Sequence, residues 1–208
     1  MIAVKSFPPP PVCEREILRY AGCAKADETV QALLADCLAE ALPVLTYAVC
    51  FTELDPAPFT ARSATLKRHL DGCERVVLMA ATVGIGLDRL IAKYGRLSPA
   101  KALIFQAIGA ERVEALCDAF CAELETETAL NARSRFSPGY GDLPIELQRE
   151  VLTLLEAGKR IGVTLNDSLL MSPSKSVTAF VGLSREQKQT ASKCRLCEKK
   201  DCAFRGAV

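Results

Sequence analysis

The sequence predicts an α+β fold in which several helices, one of them long, pack with a few strands. Three observations carry this. Arg75–Thr82 is a nearly continuous apolar run, as a buried strand requires. Ser98-Pro99 makes a helix N-cap and first-turn pair, and Leu103, Ile104, Ala107, Ile108, Val113, Leu116, Cys117, Phe120 and Leu124 follow along one side of a helix reaching Thr128. Helical and strand-like segments then mix without an internal repeat, and no domain boundary precedes residue 184. The expected organisation is one domain over residues 1–184 and a Cys-rich tail over 185–208.

Composition narrows the function. Half of the 208 residues are apolar, enough for a real core, and the net charge is +1. A nucleic-acid binder needs an excess of Lys and Arg to neutralise phosphates, so that class is set aside. The single histidine, His69, lies in Lys67-Arg68-His69-Leu70-Asp71, a polar helix end, and reads as a surface residue rather than a catalytic base. No apolar run approaches the ~18 residues of a membrane span. The N-terminus MIAVKSFPPPP has no apolar signal core, so the expected location is the cytoplasm. In that reducing compartment the ten cysteines are thiols or metal ligands rather than disulfides.

The remaining elements follow from local signals. Residues 8–11 are four prolines, an extended arm suited to packing or to a partner. Glu14–Tyr20 is a helix ended by Gly22. Asp27 starts a second helix in which Val30, Leu33, Leu34, Cys37, Leu38 and Ala41 recur at helical spacing until Pro43. Residues 44–54 read as a strand closed by Pro56 and Pro58, and 63–70 as a short helix. Gly84-Ile85-Gly86 followed by a helix over 87–94 resembles a nucleotide-binding turn. Arg89 stands where GxGxxG needs its third glycine, so a tight turn is the favoured reading. Gly109 interrupts the long helix and marks a kink or a close contact. Cys117 and Cys121, four apart with nothing polar beside them, read as core. Asp142 is placed to cap a helix over 143–157, with Leu147, Val151, Leu154 and Leu155 inward and Gly158 at its end. Residues 176–183 read as a strand.

One ordered block carries more than local structure. Behind the basic pair Arg133 and Arg135 comes Phe136-Ser137-Pro138-Gly139-Tyr140, a turn with an aromatic on either side of Pro-Gly. At fixed distance follow Leu154-Leu155-Glu156-Ala157, then Arg160-Ile161-Gly162-Val163-Thr164-Leu165-Asn166-Asp167-Ser168, then Met171-Ser172-Pro173-Ser174-Lys175-Ser176-Val177-Thr178. This succession resembles the activation domain of cobalamin-dependent methionine synthase: Arg-x-x-Pro-Gly-Tyr, a helix, Ile-Gly near a Leu-Thr-Glu-Ser block, and Met-x-Pro-x-x-Ser-Val. It covers about a quarter of the chain; upstream, only Val113-Glu114-Ala115 is similar to an acidic position of the family. Asn166-Asp167 departs from the family's Thr-Glu, and Thr178-Ala179 from its Ser-Gly. The first hundred residues look more like the separately encoded, stand-alone versions of the domain.

The resemblance implies an activation-domain-like fold of antiparallel strands packed with helices, and a pocket for S-adenosylmethionine. In that pocket Arg135 would grip the amino-acid carboxylate. Ser137 and Gly139 would offer main-chain groups. Glu114, or alternatively Asp118, would offset the ligand's positive charge. Tyr140 would cover the site and face cobalamin carried by a partner. The chain contains no Asp-x-His-x-x-Gly cobalamin signature and no homocysteine or folate barrel, so the implied role is an activation module, of the methyltransferase class, and not a complete enzyme. That module would support reductive methylation of cob(II)alamin in methionine synthase, with an electron donor, and so methionine biosynthesis. Two alternatives stay open: activation of another corrinoid methyltransferase protein, and a non-catalytic S-adenosylmethionine- or metal-binding adaptor.

The tail is a second feature. Cys194, Cys197 and Cys202 lie within nine residues, among Lys193, Arg195, Lys199, Lys200 and Arg205, which favour thiolates. Thiolates so spaced can converge on a soft metal, a [4Fe-4S] cluster or zinc. A fourth ligand would come from Cys13, Cys23, Cys50, Cys73 or a partner, or the site stays open. A redox disulfide or free thiols, and no special role, are the other readings.

Overall fold

The computed structural model describes residues 1–23 and 26–186. In chain order the elements are β1 (Ala3–Ser6), α1 (Glu14–Tyr20), α2 (Glu28–Ala41), a 3₁₀ turn (Leu42–Val44), β2 (Ala48–Glu53), α3 (Ala57–Thr60), α4 (Ala64–Leu70), β3 (Arg75–Thr82), α5 (Gly86–Leu97) and α6 (Pro99–Thr128). Then come β4 (Asn131–Ala132), α7 (Leu147–Leu154), α8 (Ala157–Ile161), β5 (Thr164–Leu165), β6 (Met171–Ser172) and β7 (Ser176–Ser184). One antiparallel sheet runs in the order β1-β2-β3-β7-β4, and β5 and β6 form a small separate hairpin.

β3 is central, and its apolar run is explained by burial on both faces. Val77, Met79 and Ala81 join Ala179 and Val181 in a core covered by α2, α5 and α6, through Leu34, Leu87, Ile108, Leu116 and Phe120. Val76, Leu78 and Ala80 face the other way with Phe180, against Phe59, Leu66, Leu147, Val151 and Leu155. Side chains alternate across a strand, so both sets of β3 residues have to be apolar. The result is three layers: helices, sheet, helices.

α6 begins and ends where its sequence signals place it, and its thirty residues span about 45 Å. Gly109 marks a close contact: a Cβ there would run into Leu87 of α5 and, at 2.6 Å, into Lys175 Cγ. Leu103, expected inward, is exposed. Among the described residues no helix is long and apolar enough to cross a membrane.

Other expectations need correction. β2 starts at Ala48 rather than residue 44, because Pro43 sits in the 3₁₀ turn. β1, whose own sequence gave no signal, pairs with β2 from Ala3↔Phe51 to Ser6↔Ala48. The helix expected over 143–157 is two helices. Gly139 N–H donates to Leu143 O and Leu143 N–H to Tyr140 O, so the chain is still turning at 143 and α7 starts only at Leu147. Glu156, at φ +48°, separates α7 from α8; Gly158 lies inside α8, and Gly162 ends it. Leu154 points outward and Leu152 takes the buried place.

Asp142 does not cap the helix that follows it. Its carboxylate accepts from Ser63 Oγ (2.5 Å), Ala64 N (2.9 Å) and Thr65 N (3.1 Å), at the start of α4. Ser63 Oγ accepts in turn from Leu66 N at 2.9 Å. The first turn of α4 is therefore capped by its own N-cap residue and by a carboxylate 77 or more residues away.

The proline arm packs onto its own chain. Proline has no N–H, so only carbonyls need partners there. Arg112 supplies them, donating Nη1 to Pro10 O and Nη2 to Pro11 O, both at 2.6 Å. Its Nε and Nη2 also donate to Glu111, which accepts the Cys13 N–H at 3.1 Å. Arg112 is fully buried.

Two outcomes follow. Arg112→Ala strands a buried carboxylate and two carbonyls, and is expected to cost about 3–5 kcal/mol in urea denaturation. Hydrogen bonds, that from Ser63 foremost, hold the Asp142 carboxyl down at about 2 from the ordinary 3.8. A depressed carboxylate pKa stabilises the fold above the unfolded value and loses that contribution as pH falls through the folded one. Asp142→Asn should therefore lower the melting temperature at neutral pH, and the gap to the wild type should close between about pH 4 and pH 2.

Candidate functional site

The chain passes from one helical layer to the other after α6. Leu130 and Ala132 still belong to the α6 side, whereas Phe136 is packed in the core of the α7 side. β4 pairs only with Leu183 and Ser184, and the crossing segment adds one bridge, Phe136 to Phe180. On that side no strand among the described residues pairs with β7 from Ser176 to Ala179. Phe180 exchanges both backbone bonds with Phe136, and backbone direction alternates along an antiparallel strand. Thr178 therefore turns its N–H and C=O to the same open edge.

A cavity of about 190 Å³ lies here, lined by Glu114 of α6, by Arg135, Ser137, Pro138 and Tyr140 of the crossing, and by residues of α7, β6 and β7 that include Gln148, Met171 and Thr178. It is smaller than the ~300–1,000 Å³ of enclosing ligand pockets. A nucleoside-sized ligand would therefore be held in part and leave the rest at the mouth.

Arg135 is the charged centre. Its side chain is 15% exposed, and its Nη2 donates to Glu114 and its Nη1 to Asp118, each at 2.5 Å. Glu114 and Asp118 lie one helical turn apart on α6, so both reach the same guanidinium. Burial works against the Arg135 charge, but the adjoining carboxylates of Glu114 and Asp118 favour it, and the pKa is raised. Two of the five guanidinium N–H donors are thus engaged by carboxylates, and the trio carries net charge −1.

The turn is built from Pro138 and Gly139. Tyr140 N–H donates to Ser137 O at 3.0 Å, and Gly139 has φ +89°. That is the pattern of a type II turn, with Pro at the second position and a residue of positive φ at the third. Gly139 shapes the turn and is not among the residues lining the cavity. Tyr140 is 44% exposed and packs edge-on against Phe136 at 5.9 Å.

Gln148, which sequence reading did not single out, is almost fully buried. Its Oε1 accepts from Thr178 Oγ1 at 2.9 Å, and its Nε2 donates to Met171 Sδ at 3.1 Å. Beside it Ser176 Oγ lies 2.9 Å from Thr82 Oγ1 and 2.8 Å from Pro173 O. The Met171–Thr178 motif is thus part of the cavity wall.

Of the predicted site residues, Glu114, Arg135, Ser137 and Tyr140 meet at this cavity, with Asp118 on its arginine. Arg133 leaves the basic pair: it is buried and donates to His69 O. His69 is half-buried, with Nε2 2.7 Å from Ser134 O. Gly84 and Gly86 pack against Thr46 and Val44. Cys117 is core, and burial pushes its thiol pKa up. Cys50, a candidate fourth ligand, is also buried, its thiol pushed up to about 11. Cys194, Cys197 and Cys202 lie outside the described residues, among which no group of three or more His, Cys, Asp and Glu is placed to hold a metal.

No family model and no curated protein matches the chain in sequence. In three dimensions it is similar to the MetH reactivation domain bound to AdoHcy (S-adenosylhomocysteine): TM-score 0.63, with 15% identity, over 90% of this chain and 80% of that one. At that identity the likeness is one of fold: the chain has the α+β architecture of the MetH reactivation domain, as its sequence block predicts.

Proposed function

We propose that the protein binds S-adenosylmethionine in the Glu114–Arg135–Tyr140 cavity and supports reductive remethylation of a corrinoid partner, the cobalamin domain of a methionine synthase in the first instance. The observation that carries the reading is the meeting of two separate parts of the sequence block, Arg135–Tyr140 and Met171–Thr178, with Glu114 in one cavity. The fold neighbour's AdoHcy, the demethylated form of the same ligand, supports it.

The residues fit the ligand. S-adenosylmethionine carries a sulfonium, an ammonium and a carboxylate, a net charge of +1, against the −1 of Glu114, Asp118 and Arg135. Opposite charges at ~4 Å are worth about 1 kcal/mol even in water, and more at a partly buried site. The Arg135 fork suits the ligand carboxylate. To bind it, Arg135 shares donors with Glu114 and Asp118 or exchanges one of them; both acids are exposed enough to be hydrated on release. The freed carboxylates then face the ligand's cationic groups. The Thr178 main chain offers one donor and one acceptor at the open strand edge.

One electron from a separate donor takes the partner's Co(II) to Co(I), which accepts the methyl as the carbon–sulfur bond breaks, the bonding pair staying on sulfur. The role of this chain is positioning. Arg135 and its acids fix the amino-acid end, and exposed Tyr140 lies at the mouth, where a corrinoid could approach the methyl group.

Arg135→Ala should weaken S-adenosylmethionine binding by tenfold or more in calorimetry, in keeping with the ~1.5–3 kcal/mol of a charged hydrogen bond; unchanged affinity removes the pocket assignment. With S-adenosylmethionine and a low-potential reductant, the protein should restore a methylcobalamin spectrum to a Co(II) methionine synthase. Restoration only with a different corrinoid protein would reassign the partner, and binding without restoration on any would leave a sensing role.

A further inference from the structure

Gln148 lines the cavity at 4% exposure, yet its hydrogen-bonding capacity is half used. A carboxamide has two N–H donors and an oxygen that accepts twice. Here one donor goes to the thioether of Met171, a weak acceptor, and one lone pair of the oxygen is taken by Thr178 Oγ1. One N–H and one lone pair remain on the same planar group. Burying a polar group in that state is unfavourable unless something else uses the remainder.

We propose that Gln148 reads the purine base of the ligand, and that Thr178 is the residue that positions it. The inference rests on the S-adenosylmethionine reading of the same cavity. Adenine presents an amino donor next to a ring-nitrogen acceptor, the complement of a carboxamide edge. The amide N–H is directed to the ring nitrogen and the carbonyl oxygen to the exocyclic amino group. Ile145, Leu169 and Met171, which also line the cavity, supply apolar contact for the faces of the base. The charged residues, Glu114 and Arg135, are left to the zwitterionic amino-acid end. Thr178 holds the amide by donating to its oxygen and leaves the second lone pair of that oxygen for the ligand. Replacing the exocyclic amino group by an oxo group sets two acceptors against each other at Gln148 Oε1, so an inosyl ligand is rejected.

The test compares S-adenosylhomocysteine with S-inosylhomocysteine on the full chain by calorimetry. The wild type should prefer the adenosyl ligand by about tenfold, the scale of a bidentate amide–adenine contact. Gln148→Met, similar in length and without the amide, should bring the preference close to one. Thr178→Val, which leaves Gln148 in place but frees its oxygen, should give an intermediate value. Arg135→Ala should weaken both ligands and keep the preference, because it acts on the other end. Near-UV circular dichroism and a cooperative melt confirm that each variant is folded; should Gln148→Met fail that check, Thr178→Val carries the test. A folded Gln148→Met or Thr178→Val protein with the wild-type preference, or a wild type with none, overturns the assignment to the base while leaving the pocket intact. Failure of the wild type to bind either ligand overturns the S-adenosylmethionine reading itself.

Discussion

The constraint on which the rest depends is that β3 is buried on both faces. A strand in that position needs cover above and below, so the chain has to supply two helical layers and cross between them. It does so after α6, at the β7 side of the sheet. β4 is only two residues long, which leaves the lower half of β7 without a strand neighbour on the side away from β3 among the described residues. The crossing segment is held at that open edge by one bridge, Phe136 to Phe180. The cavity lies in the gap that this leaves, with one wall from each layer and the strand edge between them. Its composition follows from its place: charge from the helix surface of α6, a turn from the crossing, and a buried amide from α7.

α6 carries two charged systems of opposite purpose, distinguished by exposure. At Glu111 and Arg112 the charges are buried, and the guanidinium's terminal nitrogens all go to the neighbouring carboxylate and the proline carbonyls. A buried pair of that kind fixes the N-terminal arm, with four of the five guanidinium N–H donors already engaged. Glu114 and Asp118, on the next turns of the helix, are exposed, and the arginine they hold comes from the crossing segment. An exposed carboxylate gives up a partner at small cost because water replaces it. The first system is therefore a clamp, and the second can exchange partners.

The elements legible in the sequence are those whose signals are local. Ser98-Pro99 and a long apolar stripe fix α6, Asp27 and Ser63 cap the helices they precede, and β3 is an apolar run of the right length. What escaped is what depends on a distant partner. β1 is a strand because β2 lies beside it. Asp142 looks like the cap of the next helix but serves α4 instead, because the turn from Gly139 to Leu143 keeps it out of a helix and aims it across the fold. The site divided the same way. Arg135, Ser137 and Tyr140 stand in an ordered block, and Glu114 in a short helical one. Gln148 sits in a helix with no feature to mark it; only the fold, by burying it against Thr178 and Met171, gives it significance.

The modest volume of the cavity is consistent with the proposed chemistry. A methyl donor that must hand its group to a metal on another domain cannot be enclosed, because the carbon has to be reached from outside the protein. It can be anchored at its ends. A charged trio that exchanges partners suits the amino-acid end, and a half-satisfied amide suits the base. The sulfonium between them would then lie toward the mouth, near exposed Tyr140, where no burial has to be undone before transfer. Positioning of this kind places the demand on the anchors: each fixes one end, and the reacting carbon is located only when both are engaged.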